Sequence, residues 1–454
     1  MSIEEKICAQ LSAVRFEDLP EPAVRAVKSS ILDTIGVMLV SSTASEDCVK
    51  MNTLMRELGG RPESTVIGFG DRLPSPAAAF INGALCHPLD YDDVHEGAKN
   101  HSTAQTLPAA LAVAQRKGNV TGRDLITALA VGGDFSCRVA MAVDAGPTEH
   151  GWLGSAVYGS FGASAAAGKI LGFSPSQMSN AIGIAYAQTG GSREMAEGTS
   201  LRGVRDGITS KVGVMSALLA EKGLTGPGRF LEGKAGLYNL YFRGKYTPER
   251  LLHEFGKTFE VANVSYKIWP SCRLTHTYVE ATTAIMKEQN LSWEDIKEVH
   301  VDVSQWGKDL SEPPARRLMP RSSVEAGDSM PFTLGIAMVH QTIKIEHFFE
   351  AGLKDERVLS SAKKIIHHFK PELRASDMTP GDVTIRTNRG AEFRKRVEFA
   401  PGSPQNPLKK GALEEKFLDC LRYSAKPITD QHAKDIIRDV LDLENQDSIE
   451  CIIP

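Results

Sequence analysis

The amino-acid sequence has no apolar stretch close to the ~20 residues that a helix needs to cross a bilayer. Its start, from Met1 to Lys6, contains early acids and lacks the basic beginning and apolar core of a secretory signal. The chain also lacks a large excess of charge of one sign, since it contains 52 basic and 56 acidic residues. Nucleic acid and membranes attract basic patches. We therefore expect a cytoplasmic protein without nucleic-acid or membrane partners.

Closely grouped cysteines are missing as well. The seven cysteines are scattered and never form a C-x-x-C pair, which disfavours a disulfide framework, a structural zinc site and an iron–sulfur cluster. Neither a G-x-x-x-x-G-K-[ST] loop nor a strand-bounded G-x-G-x-x-G occurs. We expect no cofactor, so that any dehydration would depend on side-chain acids and bases.

The 454 residues exceed the usual size of one hydrophobic core, which predicts two domains. Up to about residue 265 the apolar spacing is helical, with Pro22 at a helix start and further helices over residues 106–115 and 125–131. Residues 159–168 are rich in glycine, alanine and serine. This composition predicts a helix that packs closely against its neighbours rather than a phosphate-binding loop.

The pattern changes after about residue 270. Alternating apolar residues predict strands over residues 296–303, 383–387 and 393–399, the last two joined by a turn at residues 388–390. Helices are predicted over residues 331–340 and 356–368, which makes this part an α+β unit. After a Pro/Gly-rich connection at residues 401–407, helices over residues 413–423 and 429–443 indicate a return to the helical domain.

Residues 86–102 carry the densest polar cluster of the chain, namely His87, Asp90, Asp92, Asp93, His95 and His101. Three interpretations remain open. The segment could be a capped loop in which aspartates accept backbone N–H groups. It could be a metal site, although no H-E-x-x-H pair is present. It could also be an acid–base site in which neighbouring groups take opposite protonation states.

Two further groups combine basic and titratable residues. Residues 265–276, at the expected domain boundary, contain Lys267, Arg273 and His276. Residues 193–211 contain Arg193, Arg202, Arg205 and Lys211 among glycines. Arginine forks bind carboxylates, and clefts between domains are common ligand sites. In each case a solvated linker or loop is the alternative interpretation.

Taken in order, these segments resemble the MmgE/PrpD family along nearly the whole chain. Residues 82–93 with His101 and residues 107–112 resemble its H-x-L-D-[FY]-D-D…H…L-P-A-A-L-A signature. Residues 267–272 with His276 are similar to K-x-[YW]-P-x-C…H. Further matches are the small-residue helix at 161–173, the T-G-P…E-G-x-x-G segment at 223–236, and 328–332, which resembles S-x-P-Y.

The resemblance implies a mainly α fold, with a large all-helical domain from residues 1–268 and 405–454 and a smaller α+β lid domain from residues 269–404. It also implies a site between the domains, commonly a homodimer, and chemistry without a metal. Carried over by position, the catalytic residues would be Asp90, His101, Lys267 and His276. For binding the carboxylates of a substrate we predict Arg202, Arg205, Arg273 and His150.

Several positions depart from the family pattern. Val94 stands where threonine is common, Leu153 follows Gly151-Trp152 where a histidine is usual, and Phe332 replaces a tyrosine. Residues 202–205 replace a K-R-x-H segment.

The implied activity is removal of a proton next to a carboxylate of a small polycarboxylate. Two outcomes follow from it: elimination, as in 2-methylcitrate dehydratase, or epimerisation, as in iminodisuccinate epimerase. An inactive polycarboxylate-binding or scaffold protein is the alternative.

Overall fold

A computed structural model describes residues 1–144, 150–196, 199–373 and 380–454. The chain is mainly helical, which confirms the predicted fold class. It divides into two units. The first contains residues 1–88, 92–265 and 410–454, and the second contains residues 89–91 and 266–409. Within the described residues, no helix has the length and apolar character needed to cross a membrane.

The first unit begins with eleven α-helices and a two-stranded antiparallel ribbon among its described residues. The helices are α1 Ile3–Ala13, α2 Glu21–Ala44, α3 Glu46–Leu58, α4 Ser75–Leu85, α5 Ser102–Lys117, α6 Gly122–Met141, α7 Gly154–Leu171, α8 Pro175–Gln188, α9 Leu201–Glu221, α10 Leu237–Phe242 and α11 Glu249–Leu252. The ribbon pairs β1 Ser64–Thr65 with β2 Arg72–Leu73. The helices predicted near residues 22, 106–115 and 125–131 are therefore confirmed.

Small residues allow the helices of this unit to lie close together. A Cβ placed on Gly213 of α9 would lie 2.4 Å from the Cβ of Ala163 in α7. Likewise, a Cβ on Gly162 of α7 would lie 2.8 Å from the carbonyl oxygen of Gly132 in α6. Such separations are shorter than van der Waals contact permits. The prediction that the small-residue segment packs between helices is confirmed.

The second unit combines seven α-helices with one four-stranded sheet among its described residues. The helices are α12 His276–Glu288, α13 Gln305–Asp309, α14 Pro314–Arg317, α15 Ser323–Gly327, α16 Met330–His340, α17 Glu350–Leu353 and α18 Glu356–Ala362. The strands are β3 Ile296–Val303, β4 Ile365–Phe369, β5 Gly381–Thr387 and β6 Glu392–Val397. Their order is β4-β3-β5-β6, in which only the β3–β4 pair is parallel.

One element of the second unit was predicted wrongly. A single helix was expected over residues 356–368, but the helix ends at Ala362 and Ile365 begins strand β4. The segment alternates partly buried and exposed residues, and its backbone pairs in parallel with β3, with Val299 opposite Ile365. Apolar residues spaced for a helix and for a strand overlap in so short a segment, so pairing with β3 decided its structure.

The chain returns to the first unit with α19 Ala412–Leu421 and α20 Asp430–Leu441. The Thr429 hydroxyl accepts the backbone N–H of His432 and caps α20. The ammonium of Lys416 on α19 lies 2.7 Å from the Asp33 carboxylate on α2, and both side chains are buried. The C-terminal helices thus attach to the second helix of the chain through a buried ion pair as well as through apolar packing.

Candidate active site

The loop after α4 carries Asp90 in an unusual backbone conformation. Its φ of +48° lies in the left-handed region, which aspartate tolerates better than most residues. Backbone strain of this kind often occurs at functional sites, where the surrounding contacts hold it in place. A few residues later, Val94 and Ser265 exchange two backbone hydrogen bonds of 3.0 and 2.8 Å. These bonds fix the far end of the loop.

Asp90 forms an ion pair with Lys267. The Lys267 side chain is fully buried, and its ammonium donates to Oδ1 of Asp90, whose side chain is 16% exposed. Both residues belong to the second unit. The neighbouring Tyr91 hydroxyl donates to the carbonyl of Ile268 at 3.2 Å, which provides a second link between the two segments. The structure therefore brings together two of the predicted catalytic residues.

A second carboxylate and a thiol lie beside Asp90. One ligand atom each of Asp90, Cys272 and Asp328 lie within 4.8 Å of one another. Asp328 is buried, whereas Cys272 is half-buried. The sequence identified Asp328 only as part of a family motif, so its carboxylate is an addition to the predicted site.

His276 begins α12 and is completely buried. Its Nε2 lies 3.3 Å from the carbonyl oxygen of Ser271, so Nε2 carries the proton. Burial and the positive charges of Arg273 and Lys267 lower the pKa of His276 well below its ordinary value. The imidazole is therefore neutral. Its Nδ1 is buried without a hydrogen-bond partner among the residues that the structure describes.

Arg273 is anchored to the backbone of the second unit. Its guanidinium donates to the carbonyl oxygens of Pro401 and Ala400 at 2.6 and 3.1 Å. The positive charge of Arg273 is among the causes that lower the pKa of the neighbouring His276.

In the first unit, His101 shares a carboxylate with His87. Nδ1 of His101 lies 2.8 Å from Oδ2 of Asp92, and Nδ1 of His87 lies 2.8 Å from Oδ1. The two rings meet edge to face with centroids 4.5 Å apart. Asp92 is completely buried, and His101 is the N-cap residue of α5. The polar loop therefore positions the predicted catalytic histidine through a carboxylate that it also contains.

The neighbouring titratable groups are shifted in opposite directions. Burial and the positive charge of Arg205 lower the pKa of His87 to about 4, although Asp92 opposes the shift. Burial and the carboxylate of Asp33 raise the pKa of Asp93 to about 7, although hydroxyl hydrogen bonds oppose that shift. His87 is consequently neutral at pH 7, while Asp93 keeps its proton to a much higher pH than an exposed aspartate does. Divergent pKa values of this kind are typical of acid–base sites.

Two predicted binding arginines lie on adjacent turns of α9. The guanidinium of Arg205 donates from Nη1 to the carbonyl of Arg202 at 2.7 Å and from Nε to the Ser155 hydroxyl at 3.1 Å. It also lies 3.7 Å from the carboxylate of Asp206. Arg205 is buried in the same unit as His87. Its positive charge is among the causes that lower the pKa of His87.

His150 has a different environment from the other predicted residues. Its ring packs edge to face on Phe242 with centroids 5.8 Å apart. Both ring nitrogens are buried and have no hydrogen-bond partner among the described residues. Phe242 also stacks with Tyr158, so His150 belongs to an aromatic cluster of the first unit.

The positions that depart from the family pattern have mainly structural surroundings. Phe332 is fully buried in the core of the second unit, and its backbone N–H is capped by the Ser329 hydroxyl. Leu153 is the N-cap residue of α7. Val94 is buried and hydrogen-bonded to Ser265 through its backbone. None of these three side chains can donate or accept a proton.

Two groups of the described residues have the spacing of metal ligands: His87, Asp92 and His101, and Asp90, Cys272 and Asp328. In the first group, both Nδ1 atoms already make hydrogen bonds to Asp92. In the second group, Asp90 already receives the ammonium of Lys267. A metal ion would have to displace the hydrogen bonds to Asp92 in the first group and the Lys267 ammonium in the second. These existing contacts disfavour metal binding.

Comparisons with known proteins cover most of the chain. The profile of the MmgE/PrpD N-terminal domain matches residues 5–249, and that of the MmgE/PrpD C-terminal domain matches residues 269–443. Cis-aconitate decarboxylase of Aspergillus terreus is 27% identical over 464 residues, covering 97% of this chain and 92% of the relative. Cis-aconitate decarboxylase of Homo sapiens is 26% identical over 429 residues, covering 92% of this chain and 87% of the relative.

Proposed function

Because this chain belongs to the MmgE/PrpD family, we propose that it is a lyase acting on a small polycarboxylate, with cis-aconitate as the first candidate substrate. The observation that carries the proposal is the fully buried ammonium of Lys267 on Asp90. A buried ion pair stabilises a fold little, because desolvation offsets the attraction. Its presence is better explained by chemistry, since shifted acids and bases cluster at active sites.

The reaction proposed for cis-aconitate is loss of one carboxylate as CO2. The C–C bond to the carboxylate on the CH2 group breaks, and its electron pair moves through the neighbouring double bond. Negative charge then develops on the oxygens of the carboxylate at the far end. A proton from the enzyme is transferred to the carbon next to that carboxylate, and the donor is reprotonated from solvent. The enzyme must therefore stabilise oxygen charge and deliver one proton.

We assign these tasks by charge and protonation state. Arg202, Arg205 and Arg273 would bind substrate carboxylates and stabilise the charge that develops in the transition state, with His150 as a further binding group. Asp90, His101, Lys267 and His276 would move protons. His276 is suited to accept one, because it is neutral and carries an unpartnered lone pair at Nδ1. Proton transfer by such groups contributes ~10²–10⁴-fold to a rate.

We further propose that the enzyme works without a metal and as a homodimer. Metal independence is supported by the hydrogen bonds and the ion pair that engage both groups with metal-ligand spacing. The homodimer is an expectation from family membership. Light scattering coupled to size-exclusion chromatography gives the mass in solution, and a mass near 49 kDa would identify a monomer.

Epimerisation is the second candidate function. It is favoured by the loss of proton donors and acceptors at three positions, Val94, Leu153 and Phe332. Returning one proton to the opposite face of a carbon needs fewer groups than eliminating a substituent. Decarboxylation starts by breaking a C–C bond and epimerisation by removing a proton, but both place negative charge on a carbon next to a carboxylate, where cations stabilise it.

One experiment separates these possibilities. The enzyme is incubated in deuterated water with cis-aconitate and, separately, with citrate-like and amino-dicarboxylic acids, and the mixtures are followed by proton NMR and CO2 release. CO2 with one solvent deuteron in the product supports the decarboxylase. Deuterium exchange without loss of CO2 or water identifies an epimerase, and a new alkene absorbance without CO2 identifies a dehydratase. Thermal stabilisation by polycarboxylates without turnover would indicate an inactive binding protein.

A further inference from the structure

Asp92 contacts two imidazoles at once. Oδ1 lies 2.8 Å from Nδ1 of His87 and Oδ2 lies 2.8 Å from Nδ1 of His101, so each carboxylate oxygen serves one ring. Asp92 is completely buried, and the two rings are in edge-to-face contact. All three side chains therefore have a fixed relative orientation.

This arrangement determines where the histidine protons lie. In its ionised form a carboxylate only accepts hydrogen bonds, and Asp92 would then hold a proton on Nδ1 of each ring. In a neutral imidazole the lone pair is then on Nε2. His101 also places Nδ1 3.1 Å from the backbone carbonyl of Asp93, a second acceptor that favours the same tautomer. Of the two rings, His101 is the more accessible, with 13% of its side chain exposed against 4% for His87.

We propose that Asp92 is a positioning residue that holds His101 in the Nδ1–H tautomer, so that Nε2 is the atom that accepts and returns the proton. His87 is the second donor that fixes the plane of the carboxylate. The catalytic use of Nε2 rests on the proposed lyase function, whereas the tautomer itself does not. Nearby charges act on the same group, since Arg205 lies close enough to lower the pKa of His87.

Asp92→Asn is the informative substitution because an amide offers one acceptor and one donor. One imidazole can still donate to the amide oxygen, but the other must accept from the NH2 group and move its proton to Nε2. With cis-aconitate we expect kcat to fall by ~10²–10⁴-fold, as when a carboxylate that orients a catalytic histidine is replaced by an amide. KM should change by no more than a few-fold, because the Asp92 side chain is completely buried and already contacts the two imidazoles.

A second substitution restores the correct proton position. Asparagine places its amide close to the Nδ1 position of histidine, so His87→Asn in the Asp92→Asn background can accept the new NH2 group. The amide oxygen at position 92 is then available to His101. The double variant should recover at least ten-fold of the lost kcat. Absence of recovery, with both variants folded, would overturn the role of His87.

The tautomer can be measured without turnover. Long-range nitrogen–proton NMR on the full chain labelled with ¹⁵N-histidine distinguishes Nδ1–H from Nε2–H, and His101→Gln assigns the signal. We expect Nδ1–H in the parent protein and a changed tautomer at His87 or His101 in Asp92→Asn. Asp134→Asn removes another buried carboxylate of the unit, paired with Arg138, and should leave the His101 signal unchanged. An Nε2–H signal for His101 in the parent protein would overturn the proposal even if cis-aconitate is converted. An Nδ1–H signal with no turnover of cis-aconitate would leave it standing and refute only the proposed substrate.

Discussion

Lys267 donates from a fully buried ammonium to Asp90, 177 residues earlier in the chain. Asp90 receives this charge while its backbone occupies the left-handed region. The carboxylate of Asp90 thus stabilises a buried cation, and the ion pair in turn helps to hold the strained backbone of Asp90. Changes at this pair should affect both stability and activity, and suitable controls separate the two effects.

Lys267→Met should abolish turnover of cis-aconitate, with a loss of at least ~10³-fold in kcat/KM. It should also lower the free energy of unfolding by about 3–5 kcal/mol, because it leaves the Asp90 charge partly buried without its partner. Adding Asp90→Asn should restore much of the stability but none of the activity. Activity within a few-fold of the parent would remove Lys267 from the mechanism.

Lys416→Met is the matched control for this prediction. Lys416 and Asp33 form another buried pair, in the helical unit. The substitution should cost a similar amount of stability, measured by urea denaturation, while kcat per folded molecule remains unchanged. A comparable loss of kcat in both lysine variants would mean that stability alone explains the result.

The stability of the first unit should depend on pH through Asp93. Its pKa is raised by burial and by Asp33 from 3.8 to about 7, so the folded protein binds the proton more tightly than the unfolded chain. The resulting contribution to the free energy of unfolding is fully present below about pH 4 and is lost as the pH rises through 7. Its upper limit is on the order of 4 kcal/mol. The free energy of unfolding, measured by denaturation at pH 5 and at pH 8, should differ less between the two pH values for Asp93→Asn than for the parent. Equal differences would contradict the shift.

Prolonged dialysis against a strong chelator should leave kcat with cis-aconitate unchanged. Both groups of described residues with metal-ligand spacing already make other contacts, the first through hydrogen bonds to Asp92 and the second through the ion pair with Lys267. The measurement is activity before and after chelation, with metal content determined by mass spectrometry. Loss of activity that one divalent cation restores would show a metal enzyme instead.

Gly213→Ala should destabilise the protein by about 1–3 kcal/mol through overpacking, because the added methyl group would meet Ala163 at 2.4 Å. Gly228→Ala is the control, since nothing lies within 4 Å of the corresponding position. Thermal unfolding of both variants tests the difference. Similar melting temperatures would show that α7 and α9 separate at little cost.

The sequence predicted most long elements because their apolar spacing was sustained. It failed at β4, where five residues suited either a helix or a strand and the neighbouring β3 decided the outcome. Among the site residues, the motifs located Asp90, His101 and Lys267 without revealing their contacts. Asp92 stood in the polar cluster, but only coordinates could show that it serves two imidazoles. Asp328 stood in a family motif, but its proximity to Asp90 arises from tertiary folding and has no local sequence signal.

The helical unit contains residues from both ends of the chain, and this affects how it forms on the ribosome. Helix α2 emerges early, but α19 and α20, which pack against it, are synthesised only after the entire second unit. Until then, Asp33 lacks the ammonium of Lys416 and the apolar surface beneath Phe417 is open to water. Domains usually fold as units during synthesis, so here the second unit can fold first. The nascent helical part is then the species that needs protection by chaperones.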